Sequence, residues 1–269
     1  MEKVVFTDGW DEYFAARGMQ EFADFYDYSA GGVLVNKNSK RNVQRLVFEG
    51  DGGGAFYMKR FERPHLKDTY FAFRNYGKVM SQAQLEWENA RLLLANGIDT
   101  YKPACYGHRI ACGLERMSFF ITEELAGQCL TDFVAGSWSE LEQAQKEQII
   151  KEIGAFVWRI HKAKVRMPDL YVWHIFLTEK TEERGGDKYE FAVIDLHRMS
   201  HNITNNRSRI EDLGRLHHSM RAEYFSEDLK RLLVESYARA AEINNATELV
   251  AKVEKKSQAV SAKRKVLSY

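Results

Sequence analysis

The chain has 269 residues, 45% hydrophobic and 29% charged, so it can bury a core as one large domain or two lobes and is neither disordered nor collagen-like. Lys plus Arg number 39 against 38 Asp plus Glu, and the resulting net charge of +1 argues against a strongly basic nucleic-acid binder. The charge is uneven: residues 249–269 hold six basic side chains and one acid, a local +5 that leaves −4 for the rest. Three cysteines, Cys105, Cys112 and Cys129, are too few for a disulfide framework and lack zinc-site spacing, so they read as reduced thiols. The N-terminus has acids where a signal peptide needs an apolar run, and no stretch approaches the ~18 apolar residues of a membrane span. The expectation is a soluble cytoplasmic protein.

In chain order, the first 60 residues read as β. Apolar runs at 33–35, 43–48 and 55–61 are separated by turn chemistry at 36–42 and by a glycine cluster at 50–54, which predicts an antiparallel meander. A helix is expected over 81–96, with Leu85, Leu92 and Leu93 as apolar positions and Gly97 ending it. Residues 118–122 read as a strand leading to Glu123, Glu124 and Leu125. Ser139 with Glu142 has capping-box spacing ahead of a helix whose inner face is Ile149, Ile153, Phe156, Val157 and Ile160. Short apolar runs between 165 and 194 flank a charged turn at 179–188. Further helices are expected from near Ser208, over 226–244 and over 247–265. The fold class is therefore α+β, with an N-terminal antiparallel β-rich lobe (1–125) and a helical C-terminal lobe (126–269).

Lys59 lies in an apolar strand, where it could equally be a solvent-facing alternate, and Glu86 lies in the following helix, where it could be a surface acid. Together they have the order of a strand lysine and a helix glutamate that pair to hold the α and β phosphates of ATP. Asp169 is followed five residues later by His174 and then by an apolar run, the spacing of a kinase catalytic loop. In that pattern the aspartate accepts the proton of the acceptor hydroxyl and the residue five on helps hold Mg²⁺. Asp195 closes the apolar run 191–194, where a kinase places its Mg²⁺-binding aspartate. A histidine among the metal ligands makes Mn²⁺ a second candidate.

The strings Asp169-Leu-Tyr-Val-Trp-His174-Ile-Phe-Leu and Val193-Ile-Asp195-Leu-His-Arg198 resemble the lipopolysaccharide core heptose kinase family, which includes the Kdo kinases. Glu86-Trp87 ahead of 97–100, the stretch 121–125 and the segment 209–213 add to the resemblance, which runs from about residue 31 to 231. It implies a protein-kinase-like fold and transfer of the ATP γ-phosphate to a sugar hydroxyl of the lipopolysaccharide inner core. By position it implies Asp169 as base, Lys59 and Glu86 at the phosphates, Glu123, Glu124 and Leu125 as a hinge beside adenine, His174 and Asp195 at the metal, and Asp212 as a brace for the catalytic loop. Two departures stand out. Met167-Pro168 replaces the His-Arg that usually precedes the aspartate, with Arg166 one position too early to substitute, and no G-x-G-x-x-G loop is present, so the turn 36–42 would have to cover the phosphates. These departures keep open a pseudokinase that binds nucleotide without turnover, and a Kdo or small-molecule sugar kinase of the same fold.

Tyr171 and Trp173 either stack on a sugar face or pack internally. His217-His218 lack partner ligands at metal-site spacing. Val250, Val253, Val260 and Leu267 lie beside the tail lysines, so the last helix either rests on an anionic membrane surface or packs on the large lobe. The acceptor places the protein at the cytoplasmic face of the inner membrane.

Overall fold

The computed structural model describes residues 1–29, 32–37, 40–49, 53–179, 189–263, 265 and 268–269. The expected turn at 36–42, the glycine cluster at 50–54 and the charged turn at 179–188 lie partly outside these residues, as does Leu267. The chain divides into two compact units, residues 1–95 with 100–125, and residues 96–99 with 126–269.

The first unit is a six-stranded antiparallel sheet in the order β1-β6-β7-β4-β3-β2. Its elements are β1 (Glu2–Phe6), α1 (Trp10–Ala15), α2 (Phe22–Tyr26), β2 (Val33–Lys37), β3 (Arg41–Phe48), β4 (Gly54–Glu62), α3 (Leu66–Tyr76), α4 (Gln82–Ala95), β6 (Pro103–Ala111) and β7 (Leu114–Glu123), with β5 (Asp99–Thr100) at the border of the units. The meander β2-β3-β4 follows the predicted order. The all-β reading of the first 60 residues does not hold, because α1 and α2 intervene. Their aromatic residues recur at helical spacing: Trp10 with Phe14, and Phe22 with Phe25 and Tyr26. Phe14, Phe22 and Phe25 are buried with Phe48, Phe56 and Phe119, and Phe25 stacks on Phe119 at 5.1 Å. The buried Arg60 ties this segment to β4 by donating to the carbonyls of Tyr26 and Tyr28 and to Gln44 Oε1.

Helix α4 begins on a complete cap. Gln82 N–H donates to Glu115 Oε2 (2.9 Å), Ala83 N–H to Ser118 Oγ (3.4 Å), Gln84 N–H to Ser81 Oγ (3.2 Å) and Leu85 N–H to Ser81 O (2.9 Å). Gly97, at φ +67°, follows the helix in the left-handed region that glycine tolerates. Burial pushes the Glu115 carboxyl up to about 7, against the hydrogen bonds from Ser118 Oγ and Gln82 N–H. The folded unit therefore keeps this proton through a range where the unfolded chain has lost it, and stability falls as pH rises from about 4.5 to about 7. We expect Glu115→Gln to remove roughly 2 kcal/mol of that pH dependence. Thermal midpoints of both proteins at pH 5 and pH 8 check this, and an unchanged pH slope in the variant contradicts it.

The second unit comprises β8 (Gln128–Cys129), α5 (Leu130–Ser137), α6 (Gln143–Lys162), β9 (Ile175–Glu179), β10 (Tyr189–Val193), α7 (Asn206–Ser219), α8 (Glu227–Ala240) and α9 (Ala246–Ser261). Strands β8, β9 and β10 pair antiparallel. Helix α6 starts later than the Ser139 cap predicts. A short 3-10 turn occupies Trp138–Glu140, and the capping box is made by Glu142 with Gln145. The predicted inner face is buried throughout, from Ile149 to Ile160. Gly154 lets α6 approach α8 closely, since a Cβ there would lie 2.7 Å from Leu233 O. Helices α7, α8 and α9 are capped by the side chains of Asn205, Ser226 and Asn245.

Helix α9 packs on α7. Val253 is fully buried and Val250 nearly so, and a Cβ at Gly214 would collide with Lys256. Of the stripe considered for a membrane surface, Val250 and Val253 are therefore core, while Val260 is half-buried. His217 and His218 bond to Ser257 and Ser261 across the same seam, at 3.0 and 2.8 Å. Among the described residues, no helix is long and apolar enough to cross a membrane.

Candidate active site

In the first unit, β4 and α4 bring together two of the sequence-predicted residues. Lys59 Nζ lies 2.7 Å from Glu86 Oε2, and Tyr101 donates its hydroxyl to the same oxygen at 2.9 Å. Glu86 is completely buried, and its Oε1 has no hydrogen-bond partner among the described residues. The lysine crosses the Tyr101 ring at 5.3 Å from its centre. Tyr101 completes this cluster and was not singled out from the sequence, since a lone tyrosine after a helix carries no signal.

The expected hinge is partly committed elsewhere. Glu123 N–H donates to Lys102 O and Glu124 N–H to Ala55 O, each at 2.9 Å. The Glu124 carboxylate accepts two hydrogen bonds from Arg45, at 2.6 and 2.9 Å, and the Arg45 hydrogen bond holds it below the usual glutamate range. Leu125 ends the unit, half-buried.

In the second unit, the segment after α6 is pinned before it reaches Asp169. Arg166 and Ser200 exchange backbone hydrogen bonds (2.8 and 3.0 Å), and Met167 N–H donates to the fully buried Asp212 Oδ2 at 2.7 Å. Asp212 also faces Arg166 Nε at 3.7 Å and Arg215 at 3.3 Å. Arg166 further pairs with Glu211 at 2.6 Å, so its charge is used in bracing the loop. Past the loop, Val172 N–H donates to Ser219 Oγ at 3.0 Å.

Asp169 is nearly buried, and its two oxygens differ. Oδ1 accepts from Arg198 at 2.9 Å, while Oδ2 is buried with no hydrogen-bond partner among the described residues. Its backbone carbonyl meets His174 Nδ1 at 2.6 Å. A carbonyl only accepts, so Nδ1 carries a proton, and Nε2 is the ring nitrogen left to serve as a ligand. That nitrogen lies 3.7 Å from Asp195 Oδ2. Asp195 Oδ1 in turn accepts from His197 Nδ1 at 2.8 Å. Asp195 sits at φ +64°, ψ +62°, a left-handed conformation that aspartate tolerates better than most residues and that is often found at functional positions. One imidazole nitrogen and one carboxylate oxygen, each oriented by a second hydrogen bond, fit a divalent cation that fills its remaining positions with water and phosphate oxygens.

Arg198 and His197 are the functional candidates that spacing alone did not isolate. Both belong to the string 195–198, but only the folded turn brings Arg198 back onto Asp169, 29 residues earlier in the chain. Tyr171 is buried and stacked on Trp173 with centroids 4.6 Å apart, so the internal-packing alternative applies to Tyr171.

A lysine–glutamate pair between sheet and helix in one unit, and a braced loop carrying Asp169 with a metal-capable pair in the other, define the protein-kinase-like class. A solved structure of WaaP in complex with acyl carrier protein shares the fold, with a TM-score of 0.70 at 23% identity over 96% of this chain and 99% of that one. The chain belongs to the lipopolysaccharide kinase (Kdo/WaaP) family, whose model matches residues 28–237. It is 31% identical over 140 residues to lipopolysaccharide core heptose(I) kinase WaaP of Pseudomonas aeruginosa, a match spanning 51% of this chain and about half of that relative (52%). It is 26% identical over 184 residues to the Escherichia coli WaaP of the same description, across 68% of this chain and 67% of the relative.

Proposed function

We propose that this protein transfers the γ-phosphoryl group of ATP to a sugar hydroxyl of the lipopolysaccharide inner core, with heptose as the acceptor sugar. The observation that carries this reading is the asymmetry of Asp169, one oxygen held by Arg198 and the other buried and unpartnered. An oxygen so placed is ready to accept the proton of an incoming hydroxyl, and Arg198 fixes the carboxylate's orientation. Lys59, held by Glu86, binds the α and β phosphates. The backbone of Leu125, rather than the committed N–H groups of Glu123 and Glu124, meets the adenine. His174 Nε2 and Asp195 Oδ2 hold Mg²⁺, or Mn²⁺ given the nitrogen ligand, which when bound neutralises charge on the phosphate oxygens. His197 keeps Asp195 turned toward that pair.

The absence of His-Arg before Asp169 motivates the pseudokinase alternative. Against it, the loop is braced by Asp212 and Arg166, and a cation reaches Asp169 from Arg198. The acceptor implies work at the cytoplasmic face of the inner membrane. Acyl carrier protein, the partner in the solved WaaP complex, enters as a partner to test by co-elution.

The assay is incubation of the purified protein with ATP, a divalent cation and defined inner-core acceptors, with mass spectrometry locating any added phosphate. Phosphate on a heptose hydroxyl supports the proposal; transfer only to Kdo or to small soluble sugars redirects it, and nucleotide binding without transfer overturns it. In the same assay Arg198→Met is expected to lower kcat roughly 10- to 100-fold while changing KM for ATP little, and Arg198→Lys to recover part of the loss. Full activity in Arg198→Met removes Arg198 from the mechanism.

A further inference from the structure

Helix α3 buries one side and leaves the other bare. Ala72 is fully buried, and Phe71 and Tyr76 pack with it against Met80 and Leu85. On the opposite side Tyr70 is 67% and Phe73 50% exposed, and Val79, just past the helix, is 60% exposed. Residues three apart share a helix face, so the two rings stand side by side. A single exposed apolar side chain is ordinary, but three in one short segment call for a partner.

The same face is cationic. Lys67 and Arg74 stand three residues before and four after Tyr70; both are exposed, and neither has a carboxylate partner among the described residues. Lys78 is exposed and reaches Glu88 only at 3.9 Å. The single acid of the helix, Asp68, is turned to the helix start, where it accepts the N–H of His65. Bare aromatic rings flanked by unpaired cations, on a convex helix rather than in a groove, are the pattern of an element lying in a lipid headgroup layer.

We propose that this face of α3 is a docking surface for an anionic lipid bilayer, with Tyr70, Phe73 and Val79 entering the headgroup layer and Lys67, Arg74 and Lys78 meeting lipid phosphates. Val250 and Val253 of α9 are buried, whereas Tyr70, Phe73 and Val79 are exposed and free to do this. The link to a lipid-borne acceptor rests on the proposed function; the binding itself does not.

The test is co-sedimentation of the full chain with vesicles of phosphatidylethanolamine and phosphatidylglycerol, and with neutral phosphatidylcholine vesicles as the comparison. The wild-type protein is expected to bind the anionic vesicles and to be released by salt. Lys67→Gln with Arg74→Gln is expected to weaken binding by roughly 25-fold, about fivefold per charge. Tyr70→Ser with Phe73→Ser is expected to weaken it about tenfold or more with an unchanged thermal midpoint, since both rings are exposed. Absence of wild-type binding, or variants that bind as well as wild type, overturns the proposal. So does capture of acyl carrier protein, lost in the same variants while vesicles do not bind. Phosphorylation of a delipidated core saccharide reads the proposed function separately: its failure leaves the vesicle result standing, and its persistence in the α3 variants shows that the docking face is not part of the catalytic machinery.

Discussion

Replacing Asp169 with asparagine is expected to lower kcat for phosphoryl transfer by roughly a thousandfold while leaving the fold intact. Asparagine keeps an oxygen for Arg198 but cannot accept the hydroxyl proton at the position of Oδ2. Oδ2 has no hydrogen-bond partner to lose, and Arg198 is about half exposed, so water can compensate it. The substitution therefore separates chemistry from stability better than alanine does. The measurement is single-turnover transfer to an inner-core acceptor, with a thermal melt and a nucleotide-binding titration as controls. Near-wild-type transfer in Asp169→Asn would remove Asp169 as the base.

Lys59→Met is expected to cost both activity and stability. The Glu86 side chain is fully buried, and among the described residues of the first unit the lysine is its only charge partner, with Tyr101 giving one neutral hydrogen bond. Removing the lysine strands a buried carboxylate, which typically costs about 3 kcal/mol or more. The double variant Lys59→Met with Glu86→Gln removes the stranded charge and is expected to recover much of that stability while staying inactive. Urea midpoints of the two variants against wild type test this. Equal midpoints for Lys59→Met and wild type would mean that the pair does not hold α4 in place. Recovery of stability without recovery of activity is the signature expected of a pair whose lysine serves the nucleotide.

Elements with a strong apolar period were legible from the sequence. Helix α6 shows this: five apolar residues on one face all reach the core, because a 3.6-residue period leaves no other way to bury them. Its start was misplaced because Ser139 and Glu142 satisfy the capping-box spacing, while Trp138 buries its ring and donates to Tyr224 O, which holds the chain in a 3-10 turn there. The N-terminal segment reads as β because α1 and α2 are only six and five residues long, so two or three aromatic residues are all that carry the helical spacing of each. Helix α3 is hidden for a different reason: its outer face carries aromatic residues that mimic a buried one.

For the candidate site, the nearness of His174 to Asp169 follows from their five-residue spacing, and the pairing of Lys59 with Glu86 from the order of a strand lysine and a later helix glutamate rather than from close spacing. Spacing could not supply Arg198 at Asp169, Tyr101 at Glu86, or the prior use of the Glu123 and Glu124 amides, because these contacts join residues whose neighbourhood is set by how strands and turns close on one another. The sequence by itself determined the class of fold, the order of its chemically capable residues and the absence of a long apolar span. Only the tertiary structure decided which oxygen of Asp169 stays unpartnered among the described residues, and that Val250 and Val253 of the tail are core while the aromatics of α3 are bare. Periodicity says that a face is apolar; what covers that face depends on packing against residues far away in the chain.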